Sequence, residues 1–152
     1  TNTIQSLDLL GRKILMDNGA KLKKFGALVE AFVVENGTDE MMSEFITPLA
    51  DLGDKVTKLT MEIGIKAMQN QDEVGAAAVP YLRVVGHLVY SYFFARMAKI
   101  ALTKLESGDN FYKAKLATAR FYFARLLPET AMLIRQARSG AKPLLDLEAE
   151  LF

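Results

Sequence analysis

Apolar residues recur at helical spacing along most of the chain, without the sustained alternation that is typical of β-strands. The clearest run lies between residues 49 and 63, where apolar side chains follow one another at intervals of three and four and share one helix face. This face consists of Leu49, Leu52, Val56, Leu59 and Ile63. The pattern predicts an all-α fold: an up-and-down helical bundle of about four long helices, with a short N-terminal and a short C-terminal helix.

Glycine and proline mark the expected ends of these helices. Asn-Gly, Ser-Gly and a single glycine each follow an apolar stretch and favour the left-handed conformation that ends a helix. A proline inside a helix removes one hydrogen bond, so Pro80 should start or kink its helix and Pro128 should kink the next. Outside the central region, helices are predicted over residues 4–15, 20–35, 74–106 and 110–139, with a short last one between 143 and 151.

Two N-terminal caps are predicted in the central region. Thr38 precedes Asp39 and Glu40, whose acidic side chains complement the dipole in the first turn of a helix. Thr47 precedes Pro48, and proline suits the first helical position. The sequence therefore predicts an interruption at residue 47 and a new helix start after it.

The face opposite the apolar run carries three acidic residues, each four positions before a lysine. Pairs with this spacing contribute about 0.2–0.5 kcal/mol each and point to solvent. The predicted pairs are Asp51 with Lys55, Asp54 with Lys58 and Glu62 with Lys66.

Composition and charge exclude several classes of function. Nineteen basic residues against 18 acidic ones leave a net charge of +1, which lacks the basic excess of a nucleic-acid-binding protein. The absence of cysteine and the single histidine exclude disulfide frameworks, iron–sulfur clusters and zinc sites, so no metal site is expected. A reducing compartment is compatible with this, and we expect a cytoplasmic protein. The longest apolar region, residues 84–102, contains His87, Arg96 and Lys99, which predicts a buried helix and no membrane span.

The single histidine, His87, is not in a recognisable catalytic pattern. A di-iron bundle needs a glutamate three residues before a histidine, and Val84 occupies that position. Ser91 follows His87 by one helical turn, but a Ser–His hydrolase also needs an orienting acid and an oxyanion hole. We interpret His87 as a packed or hydrogen-bonded histidine of the core.

Aromatic residues form two clusters that alternate with alanines at helical spacing. Such patterns are typical of large and small side chains that interdigitate across two central helices. An apolar ligand pocket among these aromatics is an alternative, which a large internal cavity would support. The residues are Tyr90, Tyr92, Phe93, Phe94, Phe111, Tyr112, Phe121, Tyr122 and Phe123, beside Ala95, Ala98, Ala117 and Ala124.

The apolar content is high for a free-standing helical domain. Apolar residues with glycine make up about 55% of the chain, against a usual 45–50%. This surplus suggests that part of the surface is buried against a second copy or another domain, so a homo-oligomer is expected.

Several motifs connect the sequence to a known family. The stretch from Thr1 to Lys13, with Ile4-Gln5 followed by Leu7-Asp8-Leu9-Leu10-Gly11-Arg12, resembles the part of acyl-CoA dehydrogenases that follows their Tyr-Glu-Gly motif. The rest resembles the additional C-terminal helical domain of larger bacterial members of that family. The matching stretches are Pro80-Tyr81-Leu82-Arg83 with Gly86, Phe111-Tyr112-Lys113-Ala114-Lys115, Thr118-Ala119-Arg120-Phe121-Tyr122-Phe123 and Leu127-Pro128.

This resemblance implies FAD-dependent α,β-dehydrogenation of an acyl-CoA thioester by the whole protein. A glutamate base is expected upstream of Thr1, so no catalytic residue and no bound cofactor are expected in this region itself. The resemblance also implies that Thr1, Asn2, Thr3 and Gln5 contact the FAD. Residues 1–16 are then the tail of the flavin-binding catalytic domain, and residues 17–152 a C-terminal helical bundle domain with a structural role. Its expected partners are its own catalytic domain and further copies of the chain.

A second interpretation assigns the chain to a different class of function. The chain is then a stand-alone helical interaction module, whose exposed apolar stripe receives a helix of a partner protein. An open reading frame that continues upstream of Thr1 into a Tyr-Glu-Gly run would favour the dehydrogenase.

Overall fold

The computed structural model describes residues 1–151, which form helices and connecting turns with no strand in that range. The predicted all-α class is confirmed, and the last residue of the predicted bundle domain, Phe152, lies outside the described residues. The helices are α1 (Asn2–Leu7, continued as a π-helix over Asp8–Leu15), α2 (Ala20–Asn36), α3 (Ser43–Gln69), α4 (Asp72–Thr103), α5 (Asn110–Phe121), α6 (Glu129–Arg138) and α7 (Lys142–Leu145). A π-helical segment, Tyr122–Leu126, leads from α5 towards α6, and short 3₁₀ turns cover Glu40–Met42, Leu105–Ser107 and Ala149–Leu151.

Contacts between the long helices establish the up-and-down topology. Helices α3 and α4 are antiparallel, because Thr60 contacts Tyr81 on either side of their short connection. Helix α3 and the α5–α6 segment are parallel, because Glu44 pairs with Arg120 and Glu62 with Arg138, both across 76 residues. Helix α4 is central and packs against α1, α3, α5 and α6.

The core follows the apolar pattern of the sequence. All five residues of the predicted face of α3, from Leu49 to Ile63, are at most 3% exposed. Leu10 and Ile14 bring the N-terminal helix into the same core. Within residues 1–151, no helix is both long and apolar enough to cross a membrane.

Left-handed residues occur at three of the four predicted glycine stops, whereas Gly37, which follows the last residue of α2, is right-handed with φ of −67°. Asn18 and Gly19 have φ values of 54° and 73°, and Gly108 and Gly140 have values of 74° and 78°. Gly140 also lies close to another helix, because a Cβ atom added to it would be 2.9 Å from a carboxylate oxygen of Glu73. This carboxylate accepts a hydrogen bond from the backbone N–H of Ala141 at 3.2 Å and so fixes the C-terminal segment to the start of α4.

Both predicted caps in the central region are wrong. The cap is Asp39 and not Thr38, since the Asp39 carboxylate accepts a hydrogen bond from the N–H of Met41 at 2.9 Å. Helix α3 starts at Ser43 and continues through Thr47 and Pro48. Proline there removes one hydrogen bond near the start of the helix, and the buried apolar residues on both sides of it favour a continuous helix.

The other two prolines behave differently from each other. Pro80 lies inside an unbroken α4, so it does not start the helix. Pro128 immediately precedes α6 and follows the π-helical segment, where the N–H of Leu127 bonds the carbonyl of Tyr122 at 3.0 Å. The helix predicted over residues 110–139 with a kink at Pro128 is therefore divided into two helices, α5 and α6, with a π-helical turn between them.

Only one of the three predicted ion pairs on α3 occurs among residues 1–151. Lys55 contacts Asp51 at 2.6 Å. Glu62 instead receives two hydrogen bonds from Arg138 of α6, at 2.7 and 3.0 Å. A guanidinium matches both carboxylate oxygens at once, so it outcompetes a lysine one turn away.

The predicted interdigitation of the aromatic clusters is only partly correct. Tyr92 and Tyr122 are buried, and Phe94 stacks on Tyr122 with ring centroids 4.5 Å apart. Four of the aromatics and two of the alanines are instead exposed. These are Tyr90, Phe93, Phe111, Phe121, Ala117 and Ala124.

Candidate functional site

The residues expected to contact FAD lie together at the start of α1. Thr1, Asn2, Thr3 and Gln5 are all exposed. The buried Ser6, one turn after Asn2 on the same helix face, donates a hydrogen bond to the carbonyl of Thr3 at 2.7 Å, and this face enters the core there. The four side chains are therefore free to bind a ligand or another surface.

Apolar side chains accompany these polar groups on the exposed side of α1. Ile4 is 74% exposed, and Leu7 lines a shallow groove between α1, the start of α4 and α7. The groove has a volume of about 570 Å³, and Gly75, Leu144 and Leu145 also line it. This part of the surface therefore combines hydrogen-bonding groups with uncovered apolar area.

The side of α4 that lies away from α3 is also apolar. Beginning one turn after Gly75, its residues recur at intervals of three and four, and none of them is fully buried. Tyr90, Phe93 and Ile100 are between 50% and 59% exposed. We call this surface the outer stripe: Val79, Leu82, Gly86, Val89, Tyr90, Phe93, Met97 and Ile100.

A polar cluster borders the outer stripe between α4 and the α5–α6 segment. His87 Nδ1 lies 2.9 Å from the Tyr122 hydroxyl, and His87 Nε2 lies 3.2 Å from a carboxylate oxygen of Glu129. Arg83 donates to the other oxygen of Glu129. A carboxylate can only accept, so Nε2 carries the proton, and in a neutral ring Nδ1 accepts. The Tyr122 hydroxyl therefore shares its one proton between Nδ1 and the carbonyl of His87, which lies 3.0 Å away.

The hydrogen bonds of this cluster indicate a structural role and not that of a catalytic base. Burial, and the nearby Tyr90 phenol after it, raise the pKa of Tyr122 well above its usual range, so its hydroxyl stays neutral. Ser91 donates to the carbonyl of Leu88 at 3.0 Å and does not contact His87. This confirms His87 as a hydrogen-bonded histidine packed within the bundle, without a Ser–His pair.

A second apolar groove lies between α2 and α3, with a volume of about 650 Å³. Leu22, Val29, Val33 and Val56 line it together with Leu88 of α4. It is open to the surface, and its polar lining consists of the half-buried Thr60 and of exposed side chains, which are Asn18, Lys23, Glu30, Asp54 and Thr57. The Thr60 hydroxyl already bonds the Val56 carbonyl and the Tyr81 hydroxyl, so the groove offers no unbonded buried polar group to orient a small ligand.

No group of three or more metal-ligating side chains occurs in residues 1–151.

A profile of the family described as "Acetyl-CoA dehydrogenase C-terminal like" matches residues 23–148. The chain belongs to this family. The family membership confirms the resemblance that the sequence motifs indicate.

Curated relatives of this C-terminal family carry dehydrogenase names. The chain is 29% identical over 147 residues to a butyryl-CoA dehydrogenase of Syntrophomonas wolfei, which covers 85% of this chain and 22% of that protein. It is 29% identical over 132 residues to a 3-methylmercaptopropionyl-CoA dehydrogenase of Ruegeria pomeroyi, again covering 85% of the chain and 22% of the relative. A second butyryl-CoA dehydrogenase of Syntrophomonas wolfei is 26% identical over the whole chain and 26% of its own length. The chain thus spans about a quarter of the length of the curated relatives it matches.

Sequence reasoning missed two features of this surface. The outer stripe has a visible signal, because α4 is apolar on every face and a helix buried on all sides would need more neighbours than this chain provides. The contacts among Arg83, His87, Tyr122 and Glu129 have no signal in the sequence, since they join residues more than 30 positions apart.

Proposed function

We propose that the chain is the C-terminal helical domain of an FAD-dependent acyl-CoA dehydrogenase that oxidises the α,β bond of acyl-CoA thioesters. The observation that carries this proposal is the family match over residues 23–148, together with relatives named acyl-CoA dehydrogenases of which the chain spans 22–26%. The domain has a structural role, and the catalytic base lies in the portion of the whole protein upstream of Thr1.

The proposed FAD contacts fit the chemistry at the start of α1. Threonine hydroxyls and the amides of Asn2 and Gln5 donate and accept hydrogen bonds without carrying charge, as the polar edge of a flavin requires. All four side chains are exposed, which supports this assignment. Bound FAD would supply the hydride acceptor, and these side chains would hold and orient it.

The same proposal covers the domain division and the assembly. Residues 1–16 end the flavin-binding catalytic domain, and residues 17–152 form the bundle domain. The uncovered apolar surface of α1 and α4 supports packing against that catalytic domain and a homo-oligomeric whole protein. Its location is the cytoplasm, with which the absence of cysteine is compatible.

The test uses the complete gene product. The purified protein is expected to show a flavin absorption spectrum that bleaches when butyryl-CoA or a longer acyl-CoA is added. A protein without flavin, or a flavin that no acyl-CoA reduces, would contradict the proposed activity. Residues 1–152 alone, mixed with FAD and acyl-CoA, should leave the spectrum unchanged, and bleaching there would contradict the structural role.

A further inference from the structure

We propose that the outer stripe of α4 is the surface on which the catalytic portion of the same polypeptide docks. This inference rests on the proposed function and specifies the face through which the domain is held.

The outer stripe is long, apolar and smooth. It extends from Val79 to Ile100, about 30 Å at 1.5 Å per residue. Gly86 lies near its middle, and a Cβ atom there would meet no atom within 4 Å. A monomer seldom exposes a continuous apolar surface of this length, so a partner is expected to cover it.

The residue types of the stripe and its border are those of a protein interface. Tyrosine, phenylalanine, methionine and arginine are enriched in interface cores, whereas lysine and the acids are depleted there. Tyr90, Phe93 and Met97 lie in the stripe, and Arg96 stands over the ring of the neighbouring Tyr92 at 5.5 Å. The Arg83–Glu129 pair provides a polar rim on the opposite border.

The position of α1 identifies the occupant. Leu7 of α1 and Gly75 of α4 line the same groove, and Val79 begins the stripe one turn after Gly75. The exposed apolar side of α1 is thus continuous with the stripe. In a protein organised like the relatives, of which the matched part is 22–26%, the preceding polypeptide joins at Thr1, on this same side.

A covalent connection favours this occupant over a second copy. Two surfaces joined by a short segment meet at an effective concentration in the millimolar range, which a free second copy does not reach. The catalytic portion, and not a second copy of the chain, is therefore the expected occupant of the outer stripe.

The test is photo-crosslinking in the full-length protein. Benzoylphenylalanine is introduced in place of Phe93 in the stripe, and in a matched control in place of Met68, which is 86% exposed near the end of α3. After irradiation, mass spectrometry identifies the attached peptides. We expect the label at position 93 to attach to peptides upstream of Thr1 with at least tenfold higher yield than the label at position 68.

Two results would overturn the inference: attachment at position 93 to residues 1–152 of another copy, or equal yields from the two positions. The variant Phe93→Ser provides a second measurement, because it should speed proteolytic separation of the bundle from the rest of the protein while Met68→Ser should not. Unchanged proteolysis would also count against the inference.

The outcome is separable from that of the proposed function. Acyl-CoA bleaching of the flavin with no crosslink at position 93 retains the dehydrogenase and rejects this face. A crosslink to upstream peptides without any flavin bleaching retains the docking face and rejects the activity.

Discussion

The hydroxyl of Tyr122 donates a hydrogen bond to the carbonyl oxygen of His87 at 3.0 Å, across the contact between α4 and the first residue of the π-helical segment. The same hydroxyl is 2.9 Å from the His87 ring. One side chain thus satisfies both the backbone and the ring of a residue 35 positions away. The π-helical turn places Tyr122 where it can do so.

Replacing Tyr122 by phenylalanine should therefore destabilise the protein. Tyr122→Phe leaves a ring nitrogen of His87 without its partner and removes a second hydrogen bond from a carbonyl that keeps its bond within α4, at a cost of about 1–3 kcal/mol. Urea denaturation followed by circular dichroism measures this change. Tyr112→Phe is the control, because Tyr112 is half-buried and its hydroxyl makes no hydrogen bond among the described residues. Equal stability of the two variants would contradict this account.

Acid should weaken the contact between α3 and α6. Hydrogen bonds from Arg138 hold the pKa of Glu62 below its ordinary value of 4.5. The unfolded chain then takes up this proton at a higher pH than the folded one, so the stabilisation is present above pH 4.5 and is lost as pH falls through the folded pKa. Both side chains are nearly half exposed, so the effect is about 0.5 kcal/mol.

Denaturation midpoints between pH 6 and pH 3 test this prediction. Arg138→Gln should lose less stability than the wild type over that range. Arg135→Gln, which changes an exposed arginine of the same helix, should follow the wild type. A wild-type slope in Arg138→Gln would show that Glu62 does not contribute.

High pH should destabilise the protein through ionisation of Tyr81, which is fully buried. Burial raises its pKa from 10.0 to about 12, and its hydroxyl lies 2.7 Å from that of Thr60. Thr60 donates to the carbonyl of Val56, so Tyr81 donates to Thr60. The unfolded phenol ionises first, hence stability is complete below pH 10 and decreases as pH rises towards 12.

The expected loss attributable to Tyr81 is about 1 kcal/mol by pH 11. Tyr81→Phe should be less stable at pH 8 by about 1 kcal/mol, since it lacks the hydrogen bond, and should show a flatter decline above pH 10. Parallel declines of variant and wild type would refute the assignment.

Two glycine substitutions should have opposite effects. Gly140→Ala forces an alanine into a conformation with φ of 78° and places its Cβ against Glu73, which should cost about 1–2 kcal/mol. Gly26→Ala lies inside α2 with nothing within 4 Å of the added Cβ and should stabilise by about 0.5–1 kcal/mol. Thermal denaturation measures both, and a shift of the same sign in the two variants would contradict the argument.

The proposed FAD contacts predict a change in cofactor retention by the full-length protein. Asn2→Ala combined with Thr3→Ala removes two exposed hydrogen-bonding side chains and should weaken FAD binding about tenfold. Met68→Ala, at an exposed site near the end of α3, should leave it unchanged. Flavin fluorescence during dilution gives the affinity, and identical affinities would remove these residues from the site.

The sequence predicts correctly those features of the fold that depend on residues within one helical turn of each other. The apolar run from Leu49 to Ile63 and the left-handed Asn18-Gly19 pair are such features, and both are confirmed. The break at Thr47 is wrong because burial of Phe45 and Leu49 outweighs one lost hydrogen bond. The partner of Glu62 is wrong because a tertiary arginine, distant in sequence, replaces the local lysine.

The candidate site follows the same division. The proposed FAD contacts at the start of α1 come from a family resemblance in a short stretch of sequence, whereas the cluster around His87 depends on how α4 meets the α5–α6 segment. Spacing along one helix carries no information about that contact.

The two arginine–glutamate pairs constrain the number of residues between Arg120 and Arg138. Glu44–Arg120 and Glu62–Arg138 have the same separation of 76 residues, although a π-helical turn and Pro128 lie between the two arginines. Adding or removing one residue anywhere in that span would rotate one arginine by about 100° relative to the other. The length of the segment between residues 120 and 138 is therefore fixed. Natural insertions should fall elsewhere, in the connections around residues 37–42 and 104–109.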